Sequence, residues 1–297
     1  MQDVISHVPL PMQTEDEGVQ YVSWPMALPY DMARALVNAG FKEHLGSADD
    51  TYWHVMLTHF GIERPTARES IGIQLWGDEG QIFENEQYMA LQWSSENSPL
   101  HKDSKRSRFL MVLLPVSKYV LHNKDNLTLQ CAVEAICKSF NLWRQNPIHG
   151  LVGQVTHIKG DWKYIAQLLN LRRKPDTNKC CLFCEGTKGM EAPITDVTSS
   201  ALWRRLVPNC PWRAEPAILQ LTGFSLALVT PDIMHAFYLG SGRDLVASAL
   251  VILLRAGHIP GNNACASDMQ PRLRFCYEQF PTSMMPRSKF DCSKPAD

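Results

Sequence analysis

The sequence has no apolar run long enough to span a bilayer and almost no net charge. Its longest apolar stretch, DLVASALVILLRAG at residues 244–257, is shorter than the roughly 20 residues a membrane helix needs. Its apolar positions recur at helical spacing, which predicts a buried helix and no membrane role. A formal net charge of −1 gives no global attraction to nucleic acid, so any such contact has to come from local basic clusters. Regular disulfide spacing is also missing. The nine cysteines, at 131, 137, 180, 181, 184, 210, 265, 276 and 292, are odd in number and unevenly placed, and no apolar leader precedes them. That pattern is expected of a reducing intracellular compartment, with thiols free or bound to metal. Late glutamate is scarce as well: beyond residue 235 the only one is Glu278, in LRFCYEQFPTS.

What is present suffices for a large buried core. The 297 residues are 45% apolar and 20% charged, which predicts one large globular domain or one domain with an insertion. Residues 1–25 are polar and proline-punctuated and are expected to form an irregular arm. A short helix is expected over 30–39, stopped at Gly40, and residues 52–60 fit a helix or a strand. Strands are predicted at 71–77 and 86–93, joined through Gly77-Asp78-Glu79-Gly80, and at 108–121, broken or bent at Pro115. A helix follows over 127–143, where Leu129, Val133, Ile136, Phe140 and Trp143 recur at three- and four-residue steps. A fourth strand at 151–158 and a helix beginning WKYIAQLLNL complete the order of three strands, helix, strand, helix.

Two acids end two of those strands. Gly77-Asp78-Glu79-Gly80 has the composition of a hairpin turn, and that is its ordinary reading. Gly160-Asp161-Trp162, however, repeats the setting just past the fourth strand. If the first and fourth strands are neighbours, as in an RNase H-like arrangement, the carboxylates meet across 83 residues of sequence. Oxygen ligands of this kind suit Mg²⁺ or Mn²⁺, and a pair of such ions holds a scissile phosphate while activating water or a 3′-hydroxyl.

A second constellation follows. Cys181-Leu182-Phe183-Cys184 has the spacing with which two thiolates grip one Zn²⁺, and its flanks lack a thioredoxin-like context. Asp232 and His235, in PDIMH, are candidates for the other half. Their ordinary readings are a helix N-cap and a packed histidine, and Cys180 and Cys210 remain alternative ligands. Basic clusters occur at 101–108 (HKDSKRSR, with Lys105 and Arg106) and 170–179 (NLRRKPDTNK, with Arg172, Arg173 and Lys174). Such runs usually mark solvated loops, but the second lies beside both Asp161 and the C-x-x-C, which makes it the better phosphate-binding candidate. WRRL at 203–206 reads as part of an amphipathic helix.

The ordered series GDE at 77–79, GDW at 160–162, C-x-x-C at 181–184 and D-x-x-H at 232–235 resembles the catalytic region of CACTA (En/Spm) cut-and-paste DNA transposases. The resemblance covers about residues 70–257. It implies an α/β fold: an RNase H-like core, a mixed sheet with flanking helices, interrupted by a mostly helical zinc-binding insertion. The corresponding segments are an arm (1–69), the core (70–172), the insertion (173–260) and a C-terminal tail (261–297). Carried over by motif, Asp78 and Asp161 are the first two catalytic carboxylates, with Glu79 an alternative for the first. Cys181, Cys184, Asp232 and His235 are the zinc ligands. The third acid of the family is a glutamate on a later helix, for which Glu278 is the candidate, although it lies closer than the family's pattern expects.

The implied activity is Mg²⁺- or Mn²⁺-dependent DNA cleavage and strand transfer, in a truncated or degenerate element. The implied partners are DNA ends and target, with homo-oligomerisation, and the implied location is the nucleus. A domesticated DNA- or protein-binding module with a structural zinc is the alternative. An unrelated enzyme whose acids are simply turns is a third.

Overall fold

A computed structural model describes residues 4–15, 18–67, 69–83, 86–100, 103–123, 125–171, 178–179, 184–193, 196, 198–204, 212–232 and 249. Met1–Asp232 forms one compact unit, and Ile233–Asp297 a second in which Ala249 is helical. The chain is α/β. Among the described residues no helix is long and apolar enough to cross a membrane.

The irregular arm expected over residues 1–25 is instead a β-ribbon. β1 (Ile5–Thr14) pairs antiparallel with β2 (Gly18–Ala27) from Ile5↔Ala27 to Thr14↔Gly18. Pro9, Pro11 and Pro25 sit in the pairs Pro9↔Ser23, Pro11↔Tyr21 and His7↔Pro25. These pairs are two residues apart, so all three prolines share the class of pair whose N–H groups point away from the partner and need no donor. The ribbon is tied down at two points along its length. Trp24 Nε1 donates to the Leu113 carbonyl (3.0 Å) and the Thr128 hydroxyl to the Pro11 carbonyl (2.6 Å). The first 69 residues thus belong to the same compact unit as the sheet that follows.

α1 (Pro29–Asn38) begins on a proline that pre-sets its first turn, and Gly40, at φ +84°, follows its end. After the short α2 (Lys42–Leu45), residues 50–60 resolve as helix α3 (Asp50–Phe60). The Asp49 side chain caps it by accepting the Tyr52 N–H (2.8 Å), and Gly61 closes it in the left-handed region.

The central sheet has five strands, in spatial order β5 (Arg108–Pro115), β4 (Glu86–Ser95), β3 (Glu69–Phe83), β8 (Leu151–Gly160) and β9 (Val229–Pro231). β3, β4 and β5 form an antiparallel meander. β5 is preceded by the one-turn helix α4 (Ser104–Ser107) and ends at Pro115 in a 3₁₀ turn. A small pair, β6 (Leu121–His122) with β7 (Asp125–Asn126), leads into α5 (Leu127–Gln145). β8 then pairs parallel with β3, α6 (Trp162–Leu168) follows, and β9 pairs parallel with β8.

The apolar stripe of α5 is buried as its spacing predicts. Trp143 meets Trp93 of β4 edge to face at 5.7 Å and stacks on Phe140, and its indole N–H donates to the Leu151 carbonyl (3.1 Å). Side chains of this size contribute about 1.5–3 kcal/mol each when fully buried. They make α5 the main buttress of one sheet face.

One expected element is corrected at the centre of the fold. Gly77 to Gly80 are not a turn: they lie in β3, paired Gly77↔Leu91, Asp78↔Ala90, Glu79↔Met89 and Gly80↔Tyr88. The chain reverses past Phe83, before Glu86. The glycines have another physical reason. Gly77 and Gly160 are register partners on β3 and β8, and a Cβ on either would fall into the ring of the buried Tyr164 on α6. They admit one tyrosine against the sheet.

Candidate metal and nucleic-acid site

Parallel pairing of Gly77 with Gly160 places Asp78 and Asp161, the next residue on each strand, at neighbouring positions on the edge where β8 gives way to α6. Gly77 and Glu79 both face α6, so Asp78 between them points to the opposite sheet face. Asp78 is exposed. Asp161 is extended (φ −69°, ψ 168°) and caps α6, one carboxylate oxygen accepting the Tyr164 N–H at 2.6 Å. That cap fixes the residue and commits one of its two oxygens.

Asp232 joins the same edge. Gly160 pairs with Pro231, so Asp232 follows β9 as Asp161 follows β8. The residue expected as a zinc ligand thus directly follows a strand of the central sheet, because β9 extends the parallel row by one more strand. Gly-Asp, Gly-Asp and Pro-Asp thus stand at matching positions on three consecutive parallel strands, inside β3 and across the ends of β8 and β9. Among the described residues no three His, Cys, Asp or Glu side chains converge closely enough to hold a metal ion. By chemistry, these three carboxylates are hard oxygen donors that fit Mg²⁺ or Mn²⁺.

Glu79, the alternative for the first carboxylate, faces the opposite side of the sheet from Asp78. It is ion-paired with Lys163 and accepts from Gln167 Nε2 (3.2 Å), both on α6, and its side chain is only 9% exposed. Gln167 is held in turn by Asn126 Nδ2 (2.9 Å), the residue that caps α5. Glu79 therefore locks α6 and α5 to β3 from the far side of the sheet.

The face shared with Asp78 carries cations around an indole. Trp76, two residues before Asp78, has the Arg108 guanidinium 4.7 Å and the Lys159 ammonium 5.2 Å from its ring centroid. Lys159 is the register partner of Trp76 and lies two residues before Asp161. Burial pulls the Lys159 ammonium below its ordinary range; Glu96 and Asp232 act against this, and Arg108 adds to it. Neither Trp76, Lys159 nor Arg108 stands out in the sequence taken singly. Strand period read backwards from each aspartate is the signal that finds the first two.

Deeper on that face lies a polar network. Glu96 is ion-paired with His157 and accepts the Tyr52 hydroxyl at 2.5 Å; its own side chain is 9% exposed and that of His157 12%. Phe60 packs edge-on against the His157 ring at 5.0 Å, so the network pins α3 to the sheet. Burial pushes the Glu96 carboxyl up, but hydrogen bonding and charge from His157, then Tyr52 and Gln74, outweigh it and hold the group below its ordinary value. A carboxylate so depressed adds stability above its unfolded pKa, about 4.3, and that stability is lost as pH falls through the folded value. Glu96→Ala is expected to cost about 3–5 kcal/mol at pH 7, with the gap to the parent narrowing below about pH 4. Urea unfolding of both proteins at pH 7 and at about pH 2.5 checks this; a gap independent of pH contradicts it.

The other expected site residues divide by position. Cys184 is half-buried, and the Asn178 carbonyl and side chain accept the Lys188 and Gly189 N–H groups (both 2.8 Å). Arg106 is exposed on α4. Cys181, His235, Glu278, Arg172, Arg173 and Lys174 lie outside the described residues, as do the Lys105 side chain and the helix expected at 244–257. No protein-family model, no curated protein and no solved structure matches the chain.

Proposed function

We propose that the protein is a divalent-metal-dependent DNA strand-cleaving core of RNase H-like type, of the kind found in CACTA transposases. One observation carries the reading: the Gly77↔Gly160 register, after which Asp78, within β3, and Asp161, just past β8, are the next residues on two adjacent parallel strands. An RNase H-like arrangement requires β3 and β8 to be neighbours, and the conjunction of that pairing with the four-motif order supports the assignment. Asp78 and Asp161 would hold the ions, with Asp232 next in the row. Bound there, Mg²⁺ or Mn²⁺ would stabilise charge on the scissile phosphate and lower the pKa of an attacking water or hydroxyl. The chain's own contribution is to fix these acids. β3 holds Asp78 between two paired neighbours, the α6 cap holds Asp161, and Glu79 fastens α6 from behind. The test is nicking of a supercoiled plasmid in Mg²⁺ or Mn²⁺, compared between the parent protein and its aspartate variants.

The proposed zinc site makes a separate prediction. Purified protein should carry stoichiometric zinc by elemental analysis, lost in Cys181→Ser; a folded, metal-free parent removes this part of the reading. The alternative, a DNA-binding module without catalysis, is favoured by one observation, that Asp161 already has a structural task as the cap of α6. It predicts salt-sensitive DNA binding with no nicking.

A further inference from the structure

Arg108 of β5 and Lys159 of β8 belong to strands that are not neighbours: β4 and β3 stand between them. Their charged ends nevertheless converge on one side chain of β3, the Trp76 indole, at 4.7 and 5.2 Å from its centroid. The indole is itself oriented, its N–H donating to the Ser94 hydroxyl (3.4 Å). Among the described residues neither cation forms an ion pair; of the two carboxylates whose charge acts on Lys159, Glu96 and Asp232, Glu96 is committed to His157 and Tyr52. Each cation repels the other, and an anion placed between them relieves that cost. At the end of the same row the Thr230 hydroxyl, on the register partner of Lys159, is buried without a hydrogen-bond partner.

The row also has a fixed relation to the acids. Trp76 and Lys159 lie one residue pair before Gly77↔Gly160 and two before the aspartates, about 7 Å along the strands. Both face the side on which Asp78 points.

We infer that Arg108 and Lys159, organised by Trp76, form a phosphate subsite that holds the DNA strand one step away from the carboxylates. The inference rests on the proposed DNA chemistry for its ligand, since a site beside three aspartates and holding two unpaired cations suits a strand whose phosphates pass from one to the other. The cations supply affinity and register; the acids repel DNA when no metal is present.

The test is fluorescence anisotropy with a labelled single-stranded DNA 20-mer, titrated at several salt concentrations, using Arg108→Ala, Lys159→Met and the double variant. Lys159→Met keeps the buried stem. The double variant is expected to bind at least about tenfold more weakly at low salt. Its salt slope should be shallower by about 1.4, since each phosphate contact in a single strand contributes about 0.7. Lys138→Ala, on the exposed side of α5, is the control and should bind like the parent, and Lys159→Arg should restore binding. Unchanged affinity and slope in the double variant overturn the inference, as does loss of binding to inorganic phosphate without loss of binding to the 20-mer. The two readings separate. Asp78→Asn that still nicks, with the double variant weakened, overturns the catalytic reading and leaves the subsite standing. Nicking that depends on Asp78 with DNA binding untouched in the double variant does the reverse.

Discussion

Asp78→Asn and Asp161→Asn should each lower metal-dependent nicking by at least about 10²-fold, the order seen when one preorganised electrostatic group is removed from an active site. Both changes keep shape and remove charge, and that is the property a divalent ion needs. Neither should unfold the protein. Asp78 is exposed, so the change is expected to stay within about 0.5 kcal/mol in stability. Asn caps a helix about as well as Asp, so the Tyr164 N–H keeps its acceptor and Asp161→Asn forfeits only a charge–dipole interaction of about 0.3–1 kcal/mol. Asp161→Ala serves as the comparison: it loses cap and charge together and should cost about 1 kcal/mol more. Urea unfolding run beside the plasmid assay separates the two roles of this residue. Nicking at the parent rate in both Asn variants means the carboxylates are not the metal ligands.

Gly77→Ala and Gly160→Ala should destabilise the protein and disable the site without touching an acid. At both positions a methyl group would occupy the space of the Tyr164 ring. Overpacking of this kind costs about 1–3 kcal/mol, and more where backbone must move. With roughly 2–4 °C per kcal/mol in a unit of this size, Tm should fall by several degrees. Tyr164 is the residue whose N–H Asp161 caps, so displacing its ring shifts the second carboxylate as well. Tyr164→Leu should relieve part of the penalty of Gly77→Ala, giving a non-additive cycle, because the two residues share one space. Neither Gly77 nor Gly160 has a positive φ, so if Gly77 marked only a turn, alanine would be tolerated. A neutral Gly77→Ala, measured by thermal unfolding, contradicts the packing account.

These two predictions also show where the sequence was legible. α5 could be read directly, since its five apolar positions repeat at helical spacing and all are buried. The strand order, the helix at 30–39 and the break at Pro115 were readable for similar local reasons. Gly77 to Gly80 misled, because a glycine required by a residue 87 positions later looks the same in sequence as one required by a turn. The ribbon over residues 5–27 was hidden by its prolines, whose placement in one class of pair becomes visible only with the register known. Asp78 and Glu79 are neighbours in sequence but face opposite sides of the sheet, a separation that strand alternation supplies once the segment is known to be strand. The Tyr52–Glu96–His157 network joins residues 44 and 61 positions apart, and no local pattern announces it. Asp232 was singled out for its motif, while its place beside Asp161 depends on β9, a strand of three residues.

The most direct measurement of the central claim is anomalous diffraction from a crystal of the protein grown or soaked with Mn²⁺. The account predicts a peak bound by carboxylate oxygens of both Asp78 and Asp161, at about 2.0–2.3 Å, on the sheet face that carries Trp76 and away from Glu79. Ordered aspartates with no manganese between them, or manganese bound on the Glu79 side, would contradict it.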